Sequence, residues 1–247
     1  MGDFDKIASE FFLNGLTKFD SFDEWVLLRI EQIQPRAIDL VYKLGSKLES
    51  EHEKRCQEEY HRDYWELFGD ADPVKSSQSI WSKLARDIGS DKSATRLSET
   101  QMEDRVFGLS DLGRCRVICT FNKDADDLLE ILFEMGRFLN DYECPKGIKD
   151  FIFSPERRDG LKGHRARQFS VKVPFDSGRY FGFEIQIMTM LQHAWDRRNH
   201  PMYEWTREGG ELSAELQVND FACAETLHLV DRQADHNWMR FKEETKK

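Results

Sequence analysis

FGFEIQIMTMLQHAWDRRNH, residues 181–200, decides how the rest of the chain is read. Phe183, Ile185 and Ile187 alternate with Glu184, Gln186 and Met188, the period of two that marks a strand with one apolar face. Beyond Thr189 the period changes. Met190, Leu191, Ala194 and Trp195 recur at helical spacing, so the strand runs directly into a helix. Glu184 and Gln186 then share the polar strand face, and His200 lies on the helix. A carboxylate so placed can hold a divalent cation or accept a proton. The same pattern also describes an ordinary strand with a solvated face, and this stretch alone does not separate the two.

Immediately upstream, Phe169, Val171 and Val173 alternate from Gln168 onward, and Asp176–Gly178 reads as a hairpin turn into the Glu184 strand. Before that strand comes a basic run within Pro155–Pro174, where Arg157, Arg158, Lys162, His164, Arg165 and Arg167 crowd around Gly160 and Gly163. Like charges at this density repel unless an anion or an acidic neighbour relieves them. The run therefore reads as an anion-binding loop or as a partner of the acidic helices. Lys149-Asp150-Phe151-Ile152 begins a short strand that Pro155 ends. Further upstream, GLSDLGRCRVICTF (Gly108–Phe121) sets Asp111 and Gly113 before an apolar strand from Cys115 to Phe121. Asp111 there suits a metal-bound nucleotide and equally caps a turn. A helix starting at Asp124 or Asp126 follows, carrying Leu128, Leu129, Ile131, Leu132, Met135 and Phe138.

KSSQSIWSKLAR (Lys75–Arg86) reads as a loop entering a helix, with Lys75, Ser79, Lys83 and Arg86 three or four apart so that the cations share a face. Three cations on one side can clamp a polyphosphate, or form a solvated basic face. Gly89–Glu103 is polar and reads as a surface loop. The first third is helical: a helix through Trp25, Leu27, Leu28, Ile30 and Ile33, a break or kink at Pro35, then a second amphipathic stretch from Arg36 to Phe68. That stretch offers Ile38, Val41, Leu44, Leu48, Tyr60, Tyr64 and Leu67 to the core. Gly69–Pro73 is a turn, and Leu212–Trp238 reads as one or two amphipathic helices. The expected organisation is one compact unit: a helical region 1–72, a core 73–205 and a helical region 206–247.

A net charge of −10 argues against broad nucleic-acid or anionic-membrane binding. No apolar run is long enough to span a bilayer, and no signal-peptide pattern opens the chain. The five cysteines form no CxxC pair, so neither a disulfide framework nor a zinc site is expected, and a reducing cytoplasm is.

Taken together, four of these stretches resemble the synthetase domain of the RelA/SpoT alarmone synthetases, above all the small single-domain ones. EIQIMT (Glu184–Thr189) is similar to the family's E-I-Q-I-R-T, DLGRCRV (Asp111–Val117) to its D-I-x-G-x-R, and KDFI (Lys149–Ile152) to its K-D-Y-I. The interval from Glu184 to His200 matches as well, and the likeness covers about Lys75 to Tyr203. It implies an α+β fold, a mixed β-sheet flanked by helices and similar to nucleotidyltransferases. It also implies transfer of pyrophosphate from ATP to the 3′-hydroxyl of GDP or GTP. By position, Asp111 and Glu184 would hold Mg2+, with Glu184 receiving the hydroxyl proton. Arg116 would contact the adenine of ATP, and Lys75, Lys83 and Arg86 its phosphates. Lys149, His164, Arg165, Gln186 and His200 would serve the acceptor. The chain departs from the family where His164 replaces the guanine-stacking Tyr, Ala166 and Gln168 replace the Ser and His that follow, and Met188 replaces an Arg. Those changes leave the acceptor open between a guanine nucleotide, an adenine nucleotide and, as in the toxin branch, the 3′ end of tRNA. A noncatalytic nucleotide-binding module is a further alternative. Small members of the family often form oligomers, so the resemblance leaves a homo-oligomer open, and no hydrolase motif is present.

Overall fold

The computed structural model describes residues 19–59, 62–68, 73–90, 98–142, 152–159, 165–176, 179–207 and 209–245. Its centre is a five-stranded mixed sheet: β1 (Trp65–Phe68), β2 (Gly113–Cys119), β3 (Ile152–Asp159), β4 (Arg165–Asp176) and β5 (Arg179–Thr189), in the spatial order β1-β2-β5-β4-β3. β2 and β5 are parallel neighbours, and the other pairs are antiparallel. The helices are α1 (Phe19–Glu58), α2 (Ser77–Ser90), α3 (Glu99–Phe107), α4 (Asn122–Tyr142), α5 (Met190–Arg207) and α6 (Ala214–Thr245). The α+β architecture expected from the sequence is the one observed.

Alternation divides the sheet into two chemically distinct faces. Cys115, Val117 and Cys119 of β2, Phe181, Phe183, Ile185 and Ile187 of β5, and Phe169, Val171 and Val173 of β4 all enter one core. That core also takes Val26, Ile33, Leu40, Leu44 and Leu48 of α1 and Leu128 and Leu132 of α4. Burying side chains of this size is worth about 2 kcal/mol each, which explains why the strand register is fixed: a slip by one residue would put charged groups into hydrocarbon. The opposite face carries Arg114 and Arg116 of β2 in register with Glu184 and Gln186 of β5, which are in turn opposite Ser170 and Gln168 of β4.

Several boundaries differ from the sequence reading. Pro35 lies inside the continuous helix α1, which ends at Glu58. The residues expected to extend it instead include the edge strand β1. Of the core positions proposed there, Val41, Leu44, Leu48 and Tyr64 are buried and Ile38 is exposed. The supposed loop 89–103 contains the start of α3, where Ser98 and Gln101 form a reciprocal capping box. α4 starts at Asn122, and Asp124 accepts the Phe121 N–H from inside the first turn. Pro155 does not end its strand: β3 runs through it to Asp159, opposite β4 from Arg165 on. β3 is a sheet edge, where a missing N–H costs no ladder bond. Thus Arg157 and Arg158 belong to an edge strand rather than to a glycine-rich loop. The C-terminal segment is one helix of 32 residues.

The change from strand to helix at Thr189 has a local cause. The Thr189 N–H donates to Gln192 Oε1 (3.2 Å) and the Gln192 N–H donates to Thr189 Oγ1 (3.2 Å), a capping box that satisfies two helix-end donors. The Thr189 hydroxyl donates to Asp231 of α6, and Asp235 accepts from the Asn122 N–H and side-chain amide, both at 2.9 Å. α6 is therefore tied across the ends of β5 and β2.

Candidate active site

Two glycines let the turn before β2 lie against β5. A side chain on Gly113 would strike the Phe183 ring, and one on Gly182 would strike the backbone at Leu109 and Ser110. Asp111 is carried on this turn. Residues 73–75 pair with the same turn: Arg114 N–H donates to the Pro73 carbonyl (2.7 Å) and Lys75 N–H to the Leu112 carbonyl (2.9 Å). This brings Lys75 Nζ to 2.6 Å from Asp111 Oδ2, while Lys83, from α2, donates to Asp111 Oδ1.

Two ammonium groups thus share one carboxylate. Burial opposes ionisation of Asp111, but the two donors outweigh it and hold its carboxyl below the usual range. Lys75 is less well served. Desolvation pulls it down, the shared Asp111 does not fully compensate, and the charges of Lys83 and Arg114 push further, leaving it below the usual lysine value. The cluster is cation-rich and its positive charge is under-neutralised, which is the condition for attracting an anion.

A second network starts at Glu184, the register partner of Arg114. Gln186 Nε2 donates to Glu184 Oε1 (2.6 Å), Arg116 Nε donates to Gln186 Oε1 (2.8 Å), and Arg116 Nη2 pairs with Asp196 Oδ2 on α5 (2.8 Å). His193, one turn before Asp196, packs on Phe68 of β1 with ring centroids 5.6 Å apart. Its Nδ1 is buried without a partner among the described residues. Desolvation, then the charges of Arg116 and Arg197, keep it below the ordinary histidine value. A cleft of about 420 Å3 lies where the Leu109–Ser110 turn meets β4 and β5, lined by Phe107, Ser110, Ser170, Lys172 and Tyr180 among others.

Of the residues singled out from sequence, the structure brings Lys75, Lys83 and Asp111 into one cluster and Arg116, Gln186 and Glu184 into another, with Arg114 between them. Arg86 is exposed further along α2, and His200 is exposed on α5 without a hydrogen bond to the described residues. Lys149 and His164 lie outside the described residues, as does the side chain of Arg165. Arg167 is buried and paired with Asp126 (2.7 Å), so this part of the basic run serves the structural role of holding α4. Sequence reasoning missed Arg114, His193, Asp196 and Phe68. The i, i+3 spacing of His193 and Asp196 on the helix after Thr189 was the available signal.

Among the described residues no three His, Cys, Asp or Glu side chains cluster as a ready metal cage. Two carboxylates nevertheless fit Mg2+, which is held by one or two carboxylates together with substrate phosphates. Among the described residues, Glu184 Oε2 has no donor and Asp111 is bound only by lysines, which phosphate oxygens can take over.

No protein-family model matches the chain, and no curated protein matches it. Solved structures do. The small alarmone synthetase 1 of Bacillus subtilis, bound to its product pppGpp, superposes with a TM-score of 0.59 at 19% identity, covering 83% of this chain and 94% of that one. The same enzyme bound to AMPCPP gives 0.56 at 19% identity, with coverage of 87% and 98%. A GTP pyrophosphokinase family protein of Streptococcus pneumoniae gives 0.61 at 21%, with coverage of 87% and 96%. The chain has the fold of the small alarmone synthetases, the fold its sequence motifs implied.

Proposed function

We propose that this protein is a nucleotide pyrophosphokinase that moves a pyrophosphoryl group from ATP to the 3′-hydroxyl of a purine nucleotide. The observation that carries this reading is the pairing of an under-neutralised cation cluster, Lys75–Lys83 around Asp111 beside Arg114, with a carboxylate held by its neighbours at Glu184. A polyphosphate needs the first and a hydroxyl nucleophile the second. The product and ATP-analogue complexes of the structurally similar Bacillus enzyme support nucleotides as both substrates.

In this reading Lys75, Lys83 and Arg114 bind the phosphates of ATP and align its β-phosphorus. Glu184 accepts the proton of the acceptor 3′-hydroxyl as the new O–P bond forms. The bridging oxygen between the α- and β-phosphorus leaves with AMP, so the pyrophosphoryl group is transferred intact. Asp111 and Glu184 are the residues that would hold Mg2+, which supplies charge neutralisation on the phosphates. Neutral His193 beside Phe68 offers a flat, apolar-backed surface next to Arg116 for a base.

The test is incubation of the purified protein with radiolabelled ATP, Mg2+ and, separately, GDP, GTP, ADP, AMP or deacylated tRNA. A labelled 3′-pyrophosphorylated nucleotide and AMP are expected, and both disappear with Glu184→Gln while ATP binding persists. Label on tRNA alone would reassign the acceptor. ATP binding without turnover in the wild type would leave a nucleotide-binding module.

A further inference from the structure

We propose that Asp196 is a positioning residue that acts through Arg116 and Gln186 to set which oxygen of Glu184 is presented for chemistry. This rests on the pyrophosphokinase reading. Hydrogen-bond polarity orders the relay. A guanidinium carries only donors, whereas a primary amide has one donor end and one acceptor end. Arg116 and Gln186 are register partners on the parallel strands β2 and β5, so their side chains leave the sheet side by side. Arg116 Nε can face only the oxygen of the Gln186 amide, and it does so at 2.8 Å. The amide nitrogen is thereby turned the other way, toward Glu184 two residues back on the same face, and donates to Oε1 at 2.6 Å. That oxygen is committed, leaving Oε2 for a proton or a cation.

What stops Arg116 from turning away is Asp196, whose Oδ2 holds Nη2 at 2.8 Å from the helix that crosses this face. Both side chains are largely withdrawn from water, at 25% and 20% exposed, where an ion pair is screened less than at the surface. Asp196 itself stands three links of the relay away from Glu184. Without it, Arg116 is free to turn to phosphate oxygens, the Gln186 amide loses its imposed orientation, and Glu184 is presented in more than one way.

Asp196→Asn is nearly isosteric and removes the charge. With wild-type turnover established, kcat for Asp196→Asn is expected to fall on the order of tenfold, as for other groups that orient a ligating residue, while KM for ATP stays within about twofold. Arg116→Lys, which keeps the charge but lacks the Nε donor, should lower kcat to a similar extent, with its KM for ATP free to change because the side chain also lies beside the base. A second readout needs no catalysis: the Gln186 side-chain amide protons, seen by nitrogen-edited NMR of the nucleotide-free protein, should be slow to exchange in wild type and fast in both variants. An unchanged kcat in both, a change confined to KM, or an amide signal indifferent to both substitutions would overturn the proposal. A wild type that makes no product with any acceptor would sink the function reading instead, and the amide signature would still decide the relay.

Discussion

Asp111→Asn separates the two jobs assigned to Asp111, pairing with lysines in the free protein and holding a cation in the loaded one. Side-chain exposures of 13% for Lys75, 25% for Lys83 and 21% for Asp111 put this cluster between surface and interior. Loss of the shared anion should therefore cost between the 0–1 kcal/mol of a surface pair and the 3–5 kcal/mol of a broken buried one, about 1–2 kcal/mol. In a chain of this length that is a fall of about 2–8 °C in Tm. Nucleotide binding should move in the opposite direction when metal is absent. A carboxylate about 6 Å from a phosphate, at an effective dielectric constant near 40, repels it by about 1.4 kcal/mol, which is about tenfold in Kd. Calorimetric titration with ATP in EDTA should thus find the variant about tenfold tighter than wild type. With Mg2+ present the order should reverse, because the variant lacks a cation ligand. Equal weakening in both buffers would refute the reasoning, since it would mean that the lysines do not face phosphate. The pH dependence has a definite sign. The carboxyl of Asp111 sits below its ordinary value when folded, so its contribution is complete above the ordinary carboxylate range. It is lost as pH falls through the depressed value, and a urea-melt series in acid should show wild type and variant converging.

Gly182→Ala should destabilise the fold by about 1–3 kcal/mol through overpacking and displace the Asp111 turn, which a denaturant midpoint together with ATP affinity will register. Asp231 is buried on α6, and desolvation followed by the charge of Asp235 raises its carboxyl above the usual value. Its contribution is greatest when protonated and falls as pH rises from the ordinary value through the raised one. Asp231→Asn, which keeps an acceptor for the Thr189 hydroxyl, should accordingly gain stability on wild type across that interval and hold the gain at neutral pH in thermal melts. Cys115 and Cys119 lie in the core, where burial pushes both thiols far up. Iodoacetamide on the native protein, read by mass spectrometry, should spare them and, of the described cysteines, label the part-exposed Cys56 and Cys223.

Much of this site was legible because alternation is a local signal: Phe183, Ile185 and Ile187 commit β5 to one face, and Glu184 and Gln186 follow on the other. Lys75 and Lys83 were legible as candidates from spacing, yet their meeting on Asp111 depends on backbone bonds between residues 73–75 and the turn before β2, which no window of sequence contains. Asp196 was missed for the same reason, since its significance appears only when α5 crosses the polar face. The error at Pro155, and the break that was one of the two readings at Pro35, have a different source. A proline was read as a stop, whereas a sheet edge tolerates one without losing a ladder bond and the long helix α1 runs on past the other. Arg157–Arg167 was read as one basic loop, whereas pairing between β3 and β4 draws Arg167 to Asp126.

The parallel pairing of β2 with β5 has a consequence during synthesis. Arg114 and Glu184 are neighbours in space only after β3 and β4, both inserted between them in the chain, have been made. A ribosome extruding this protein therefore releases Lys75, Lys83 and Asp111 well before Glu184. Long-range closure of this kind is slow, so the Glu184 side of the site can close only late in synthesis.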